Sequence, residues 1–437
     1  MRKRMIKGII AFAIMLSTIG VASYCAVLYP ISDWNLGDTY TVSYGSSSNV
    51  KYTVNELLQL YMNNSPGYKS IDLSFSINEL QCEKDELVLQ SCNENIQTYN
   101  DLIVQYQNLA DLYQAQVDAA LPGSDEQIQA QANLESCLLS IQTYQSQLIA
   151  AAKQKAEAYT QFESDSFIKE NAPLIKSQEQ FKQQAACKES CVYLITMEEQ
   201  STLLENTANY ASMVYSIERT NLSNGRSTQI DVDYADAEYQ FQLSQKEALN
   251  DNYKNSFKSL LREAGVNDSQ DTRIEIDIKS MRPHTIIDYD IVEDSFIAND
   301  IKEKQLAENI SIIDGKIDIL NDYLPSDSVD ISLELKQKEL AILEHDKWLL
   351  ERKAQLQIAY STYEKEFDQV DIKEKAAEAQ YQKYHVVLNK YNLGLISKIE
   401  LQKTLLAYSQ SKLDAWKAFY EYVCAFNVIE RIIRGSI

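Results

Sequence analysis

Glycine and proline are scarce in this sequence. Its 437 residues include 11 glycines and 6 prolines, well below average usage. So few turn-forming residues exclude an ordinary α/β or all-β protein of this length and indicate long helices. The three histidines, His284, His345 and His385, lie far apart and near no cysteine cluster. The sequence therefore predicts no metal site and no cofactor.

Basic residues are also in deficit. Lysine and arginine number 41 against 63 aspartates and glutamates, which gives a formal net charge of −22. Phosphate contacts need clustered Lys and Arg, so the chain is not expected to bind nucleic acid, and anionic lipid head groups repel it. No glycine-rich phosphate loop and no nucleophile motif with partners is present. The sequence therefore predicts that the protein is not an enzyme.

The seven cysteines include no pair with metal-ligand spacing. Cys187 and Cys191 are four residues apart and share one helical face. Two interpretations stay open for them, namely small buried side chains or disulfide partners of a facing helix in an oxidising compartment.

Residues 1–29 have the pattern of an export signal. Four basic residues within the first seven precede an uncharged apolar run that reaches Tyr29. Cleavage after Ala22 is one alternative, and retention of the run as a membrane anchor is the other. A lipid attached at Cys25 is a third, less favoured by the preceding Tyr24. All three predict an exported protein of the cell envelope.

One pattern occurs twice in the chain. Tyr and Phe follow a glycine at the same distances, 28 and 32 residues, and a second glycine closes each copy. The two copies are Gly225, Tyr253, Phe257 and Gly265, and Gly394, Tyr422, Phe426 and Gly435. A long helical stretch precedes each first glycine. We therefore predict a long helix, a glycine turn and a returning helix, twice over.

The chain divides into five predicted segments. After residues 1–29 comes an extended arm (30–52), with a strand at residues 39–44. A first helical repeat (53–265) and a linker (266–284) follow; residues 273–279 of the linker alternate as a strand that pairs with the first, forming a collar. The second helical repeat is 285–437. Residues 121–125 and 324–327 are turns within the repeats, and Asp125 is expected to cap the next helix.

A seven-residue apolar repeat marks the longest helix. It runs without a slip from Leu335 through Leu356, Tyr363 and Tyr384 to Tyr391. A strict heptad repeat predicts left-handed coiled-coil packing. The predicted fold class is therefore all-α, with long antiparallel coiled-coil helical hairpins in two tandem repeats and a small β or extended collar.

The repeated unit resembles the TolC-like outer membrane efflux proteins, whose protomer is an α-barrel unit of duplicated hairpins. Each repeat of that family starts with an amphipathic segment that ends in an Asn-Asn-Pro-like break. Residues 53–66 read TVNELLQLYMNNSP, and residues 288–300 are similar, with Ala298-Asn299-Asp300 at the break. Residues 391–397, YNLGLIS, match a hairpin tip most closely, and residues 220–232 match it more loosely. The resemblance covers residues 50–435.

The sequence departs from the family at two positions. Family members carry a pair of long strands between the first and second helix of each repeat, and three protomers close these into a barrel in the outer membrane. Here those positions hold residues 121–125 and 324–330, too short for strands of about 9–11 residues. We therefore predict a variant that lacks the β-barrel strands and keeps the helical tunnel and collar. The first repeat also has longer early helices, so its hairpin is expected to project beyond the second.

The resemblance implies a passive efflux or secretion conduit. Three copies form a helical tunnel that docks to a membrane-fusion adaptor protein and an inner-membrane pump. Such a protein sits in the outer membrane of a cell with two membranes, or outside the cytoplasm and anchored in a cell with one. The tips would contact the adaptor, through Asn224, Gly225, Arg226, Leu393, Gly394, Leu395 and Ile396.

Two other functions are considered. A structural coiled-coil envelope protein without a channel is favoured by the short inter-helix turns, and in that case the tip residues simply cap the helices. An adaptor-like rod is disfavoured because no β-rich lipoyl-like segment is found. The acidic group Asp231, Asp233 and Asp236 at a helix start is interpreted as favouring the helix dipole, with calcium binding as the alternative.

Overall fold

The structure is a computed structural model that describes residues 37, 39–44, 50–267, 272–282 and 285–436. The predicted signal or anchor segment, residues 1–29, lies outside the described residues, as do Cys25 and His284. The strands are β1 (Thr39–Tyr44), β2 (Val50–Thr53) and β3 (Thr272–Asp277). The helices are α1 (Val54–Asn64), α2 (Pro66–Ala119), α3 (Asp125–Glu170), α4 (Ala172–Ser223), α5 (Gln229–Glu263), α6 (Tyr289–Asn299), α7 (Ile301–Asn321), α8 (Val329–Asn392) and α9 (Lys398–Ile433). The predicted all-α fold of long hairpins with a small extended region is confirmed.

The helices are interrupted where local chemistry requires it. Pro66 is the first residue of α2, a position that needs no backbone N–H donor. The predicted break near Pro173 falls two residues earlier at Asn171, which separates α3 from α4. The predicted turns between α2 and α3 and between α7 and α8 are confirmed, because residues 120–124 and 322–328 are the whole of each connection.

The predicted cap of α3 is wrong by one residue. Ser124, not Asp125, is the N-cap, and its side chain accepts a hydrogen bond from the backbone N–H of Gln127. Ser124 has the extended backbone that an N-cap needs, whereas Asp125 is already the first helical residue. Asp125 contributes there as an acidic group in the first turn, where the helix dipole favours negative charge.

The collar is a three-stranded sheet in the order β1–β3–β2. The predicted pairing of β1 with β3 is confirmed; the strands run antiparallel, with Thr39 opposite Asp277 and Tyr44 opposite Thr272. The sequence did not predict β2, which lies parallel to β3 with Val50 opposite Thr272.

The chain separates into two compact units, each made of several chain segments. Unit 1 holds the described residues of Met1–Ser65, Ala185–Ile286 and Thr362–Phe426. Unit 2 holds the described residues of Pro66–Gln184, Ile287–Ser361 and Asn427–Ile437. Each unit draws on both halves of the sequence, so the division into two sequence repeats, 53–265 and 285–437, is a different partition and stays a prediction.

In unit 1 the repeated aromatic residues pack the returning helices against neighbouring segments, the first copy against the collar strand β1. The Tyr253 hydroxyl donates a hydrogen bond to the Ser43 carbonyl oxygen at 2.9 Å, and Phe257 stacks on Tyr44 with ring centroids 5.8 Å apart. In the second copy of the pattern, Tyr422 and Phe426 each pack on Tyr363, with centroids 6.1 Å apart. The 28- and 32-residue spacing therefore marks where each returning helix meets a packing partner.

In unit 2 the helices α2 and α3 form an antiparallel hairpin. Where α7 ends and α8 begins, the core includes Ala156 of α3, Leu320 of α7 and Ile331 of α8. Nearby, Ile96 of α2 and Ala151 and Ala152 of α3 pack with Tyr323. The buried side chains of this unit are mostly small or medium in size, as expected for closely spaced coiled-coil helices.

Candidate functional site at the hairpin tips

Both hairpin tips in unit 1 use the same backbone geometry. Gly225 and Gly394 have φ of 69°, a left-handed conformation that glycine adopts without steric cost. The backbone N–H of Arg226 donates to the Asn221 carbonyl at 2.8 Å, and the N–H of Leu395 donates to the Lys390 carbonyl at 2.9 Å. These six-residue closures are Schellman motifs, which end a helix and reverse the chain sharply.

The residues after each glycine start the returning helix. Thr228 and Ser397 each stand three positions beyond the glycine, and their side chains accept from the backbone N–H of Asp231 and Glu400. The Asp231 carboxylate in turn accepts from the Thr228 backbone N–H at 2.9 Å, which completes a capping box. Hydrogen bonds from the Thr228 side chain and backbone lower the pKa of Asp231. The geometry thus supports the helix-start interpretation of this acidic residue.

The two tips lie at the same end of unit 1. One buried cluster joins Tyr210 of α4, Tyr384 of α8 and Leu401 of α9. Met213 of α4 and Ile396 of the second tip pack against that same cluster. Since α4 and α8 both run toward their tips from this cluster, the two glycine turns lie beyond the same end of it.

The structure exposes most of the predicted tip residues. Leu393 is 74% exposed and Leu395 is 70% exposed, and Asn224, Gly225 and Arg226 are also exposed. Ile396 differs from the prediction of an exposed apolar patch, because it is partly buried against the Tyr210 cluster. The second tip therefore presents two leucines rather than three apolar residues.

Sequence reasoning missed a second apolar surface beside the first tip. Ile230 and Tyr234 of α5 are 78% and 74% exposed, and Phe241 is more than half exposed. Their spacing of four and seven residues puts them on one face of the helix. That spacing is visible in the sequence and predicts an apolar helix face. It does not show whether the face is exposed or buried, because both kinds have the same period; only the structure distinguishes them.

A buried polar network lies between the collar and the helices of unit 1. The Tyr40 hydroxyl donates to Glu199 Oε1 at 2.9 Å, and Lys412 Nζ forms an ion pair with the same oxygen at 2.8 Å. Tyr40 also packs edge-on against Trp416, with ring centroids 5.0 Å apart. These contacts connect β1, α4 and α9.

The neighbouring Glu198 is the unusual member of this network. Burial, and then the charge of Glu199, raise its pKa to about 7, although Tyr40 and Lys412 act in the opposite direction. Its Oε2 atom is buried and finds no hydrogen-bond partner among the described residues. Burial followed by the two carboxylates also raises the pKa of the Tyr40 hydroxyl. Among the described residues, Lys412 is thus the one lysine that acts on both carboxyl groups, which favours the protonated form of one of them.

The described residues show no metal cluster, disulfide or membrane-spanning helix. Within residues 37–436, gaps excepted, no group of three or more His, Cys, Asp or Glu side chains is arranged to hold a metal ion. The six described cysteines, which include the buried Cys187 and Cys191, form no disulfide. Across the described helices, none has a stretch long and apolar enough to cross a membrane.

Comparisons with known proteins support the fold. No protein-family model matches the chain, and no curated protein matches it. Among solved structures, the CmeC outer membrane channel of Campylobacter jejuni is 10% identical, with 95% of each chain covered and a TM-score of 0.52. The outer membrane protein VceC of Vibrio cholerae is 9% identical, covering 88% of this chain and 96% of that one, with a TM-score of 0.46. The MtrE outer membrane channel of Neisseria gonorrhoeae is 9% identical, covering 95% and 98%, with a TM-score of 0.43. The similarity to CmeC identifies a shared fold, so the predicted TolC-like fold is confirmed.

Proposed function

We propose that this chain is the subunit of a TolC-like efflux or secretion conduit in the cell envelope. In this proposal three copies close their long hairpins into a helical tunnel, and the chain performs no chemistry. The fold, shared with the CmeC outer membrane channel over 95% of both chains, supports this assignment as an analogy. A partner pump would supply the energy for transport.

An uncovered coiled-coil face carries the proposal. Leucines on the first third of α8 follow heptad spacing of 7, 3 and 7 residues and are all at least half exposed: Leu333, Leu340, Leu343 and Leu350. Leu350 is 80% exposed. An apolar heptad stripe normally packs against another helix, and a large exposed apolar stripe marks an interaction surface. In a closed wall of helices, a helix of the neighbouring copy would cover this face.

The tips would dock the adaptor. Leu393 and Leu395, with Arg226 at the first tip, are exposed at the end of unit 1 where both hairpins turn. Ile230 and Tyr234 extend the apolar surface along α5. Aromatic and apolar side chains beside a polar rim are typical of protein interfaces. We therefore add Ile230 and Tyr234 to the tip residues expected to contact the partner.

The first experiment measures the mass and shape of the full chain purified in mild detergent. Light scattering is expected to give a trimer, and negative-stain images are expected to show a hollow end-on view. A solid monomeric or dimeric rod would contradict the tunnel and favour a structural coiled-coil envelope protein without a channel.

Paired variants separate assembly from docking. Leu343→Glu with Leu350→Glu is expected to shift the trimer to monomer, because two carboxylates would have to be buried in the helix interface. Leu393→Glu with Leu395→Glu, the matched control, is expected to leave the trimer intact and to abolish capture of the adaptor encoded by the same cell. Loss of the trimer in the tip variant, or none in the α8 variant, would contradict the assigned roles.

The proposal includes an envelope location. Export is expected from the basic and apolar N-terminal segment, residues 1–29. Protease added outside intact cells, or to the periplasm of a cell with two membranes, is expected to cleave the protein. Protection equal to that of a cytoplasmic marker would exclude this location.

A further inference from the structure

Within the described residues, the distal part of the α2–α3 hairpin shares no hydrophobic cluster with other elements of unit 2. Ile96, Ala151 and Ala152 form the last α2–α3 cluster that includes a residue from outside the hairpin, Tyr323. The next cluster along the hairpin consists of α2 and α3 residues alone, with Ala110, Leu134 and Cys137 buried. Residues 97–150 are here called the distal hairpin.

The inner seam of the distal hairpin is complete. Tyr99 and Tyr106 of α2 both pack on Tyr144 of α3, with ring centroids 6.5 and 5.5 Å apart. The buried residues Ile103 and Ala110 are seven positions apart, as coiled-coil packing requires. Each helix therefore packs against the other along one face, and its opposite face is exposed to solvent.

Those outer faces carry large apolar side chains. Five of them on the two helices are each more than half exposed, namely Val104, Leu112, Ile128, Leu138 and Leu139, and a sixth, Leu121, is exposed in the turn between the helices. Single exposed leucines are ordinary on protein surfaces. Six on a hairpin of two helices, two of them adjacent in sequence, indicate a surface that another molecule covers.

The charge of this region has one sign. Residues 85–152 contain nine aspartates and glutamates and no lysine, arginine or histidine. In the part of the chain that the structure describes, none of the nine forms an ion pair; Asp101 and Asp118 accept instead from Gln97 and Gln114 of their own helix, at 3.0 and 2.9 Å. Elsewhere in the described residues the stretches without lysine or arginine are much shorter, and some acidic residues are paired, as Glu205 of α4 is with Lys246 of α5. The uncompensated negative field is therefore concentrated on this hairpin.

The exposed apolar side chains and the negative charge of the distal hairpin together indicate which kind of partner could bind it. A second copy would bring the same negative charge and repel, as would an anionic membrane. We infer that the distal hairpin is a docking surface for a positively charged amphipathic helix of another protein, with Leu or Ile on one face and Lys or Arg around it. The apolar side chains of the two proteins would be buried against each other. The opposite charges would orient the helix and speed its association with the hairpin. This inference does not rest on the proposed conduit, because it uses only α2 and α3.

The test uses the full chain and a synthetic helix of leucine and lysine in heptads as the probe. Hydrogen exchange is expected to slow on residues 97–150 when the peptide binds, and less elsewhere. A peptide with glutamate in place of lysine is expected to give no protection. Raising the salt from about 50 to 500 mM is expected to weaken binding at least tenfold, since screening acts on exposed charges.

Two matched variants test the site. Neutralising four exposed distal carboxylates, Asp101→Asn, Asp111→Asn, Asp118→Asn and Glu135→Gln, is expected to weaken peptide binding at least tenfold. Neutralising four exposed carboxylates of α5, Asp233→Asn, Glu247→Gln, Asp251→Asn and Glu263→Gln, is expected to change it less than twofold. Equal losses in the two sets, or protection outside residues 97–150, would overturn the inference.

A third variant separates a partner from a second copy. Leu138→Ser with Leu139→Ser is expected to weaken peptide binding about tenfold and to leave the sedimentation of the chain unchanged. If the variant instead reduces the oligomeric state, a second copy covers the surface and the inference is wrong. Circular dichroism of each variant, expected to match the parent, shows that the hairpin has folded.

Discussion

Glu198 offers the sharpest test of the energetics inside unit 1. It is largely buried beside Glu199, and the described groups that interact with it are Glu199, Tyr40 and Tyr253, with Lys412 as the one lysine among them. Burial of a carboxyl group that shares its counter-ion with a second carboxylate favours the protonated form. Glu198→Gln keeps the shape of the side chain and removes its ability to ionise, so it isolates the cost of the charge.

The size of the effect follows from the pKa. Burial raises the pKa of Glu198 from an ordinary value of 4.5 to about 7, which corresponds to about 3 kcal/mol between the two protonation states. Because the folded pKa is the higher one, the contribution to stability is fully present below pH 4.5 and is lost as the pH rises through 7. The Glu198→Gln variant does not ionise, so its stability carries no such dependence on pH. Its amide places a donor where Oε2 has no partner, at a pH-independent cost of about 1 kcal/mol.

Urea unfolding at several pH values measures this difference. The free energy of unfolding of Glu198→Gln is expected to lie about 1 kcal/mol below that of the parent at pH 4.5 and about 2 kcal/mol above it at pH 8. Tryptophan fluorescence is a suitable signal, since Trp416 packs on Tyr40 in the same network. Amide exchange of the α4 peptide around residue 198 locates the change in unit 1.

A control and a refuting result complete this test. Glu247→Gln, on an exposed position of α5, is expected to give a pH profile parallel to that of the parent. If Glu198→Gln also runs parallel to the parent between pH 4.5 and 8, Glu198 does not titrate on unfolding in this range and the argument from burial is wrong.

The remaining predictions concern unit 2 and the tips. Gly435→Ala is expected to lower the free energy of unfolding by about 2–5 kcal/mol, because an added Cβ would clash with the Asn299 carbonyl oxygen and the residue has a φ of 83°. Gly394→Ala, with nothing within 4 Å of its Cβ, is expected to cost only the φ strain of about 1–2 kcal/mol; equal costs in thermal unfolding would refute the close approach. Burial, together with the hydrogen bond and the charge of Asp85, raises the pKa of Asp165, so the stability of the parent falls as the pH rises. Asp85→Asn removes the neighbouring charge and is therefore expected to stabilise the α2–α3 hairpin above about pH 4. Amide hydrogen exchange of that hairpin at pH 5 and pH 8 measures its stability in the variant and the parent. If its stability depends on pH equally in both, the two carboxyl groups do not share a buried site.

The helix boundaries were largely predictable, because the signals that set them are local. Pro66, Gly225 and Gly394 lie at helix ends as predicted, since the hydrogen bonds of a glycine turn span only six residues. The N-cap of α3 was predicted one residue too late, because Ser124 and Asp125 are both residue types that cap helices well. The backbone conformation makes Ser124 the cap. The strand β2 was missed, because its partner β3 is more than 200 residues away and no local pattern distinguishes it.

The sequence by itself determined the elements of this protein: long helices with heptad seams, glycine turns at the tips and two collar strands that alternate. Only the tertiary structure decided which seams are covered. Leu335 and Leu356 belong to the same unbroken heptad series, yet Leu335 is half exposed and Leu356 is 1% exposed. The tertiary structure also brought Tyr40 to Glu199 across 159 residues. The physical reason is that turns and helix periods depend on neighbours in the chain, whereas burial and pKa depend on which distant segments arrive at the same place.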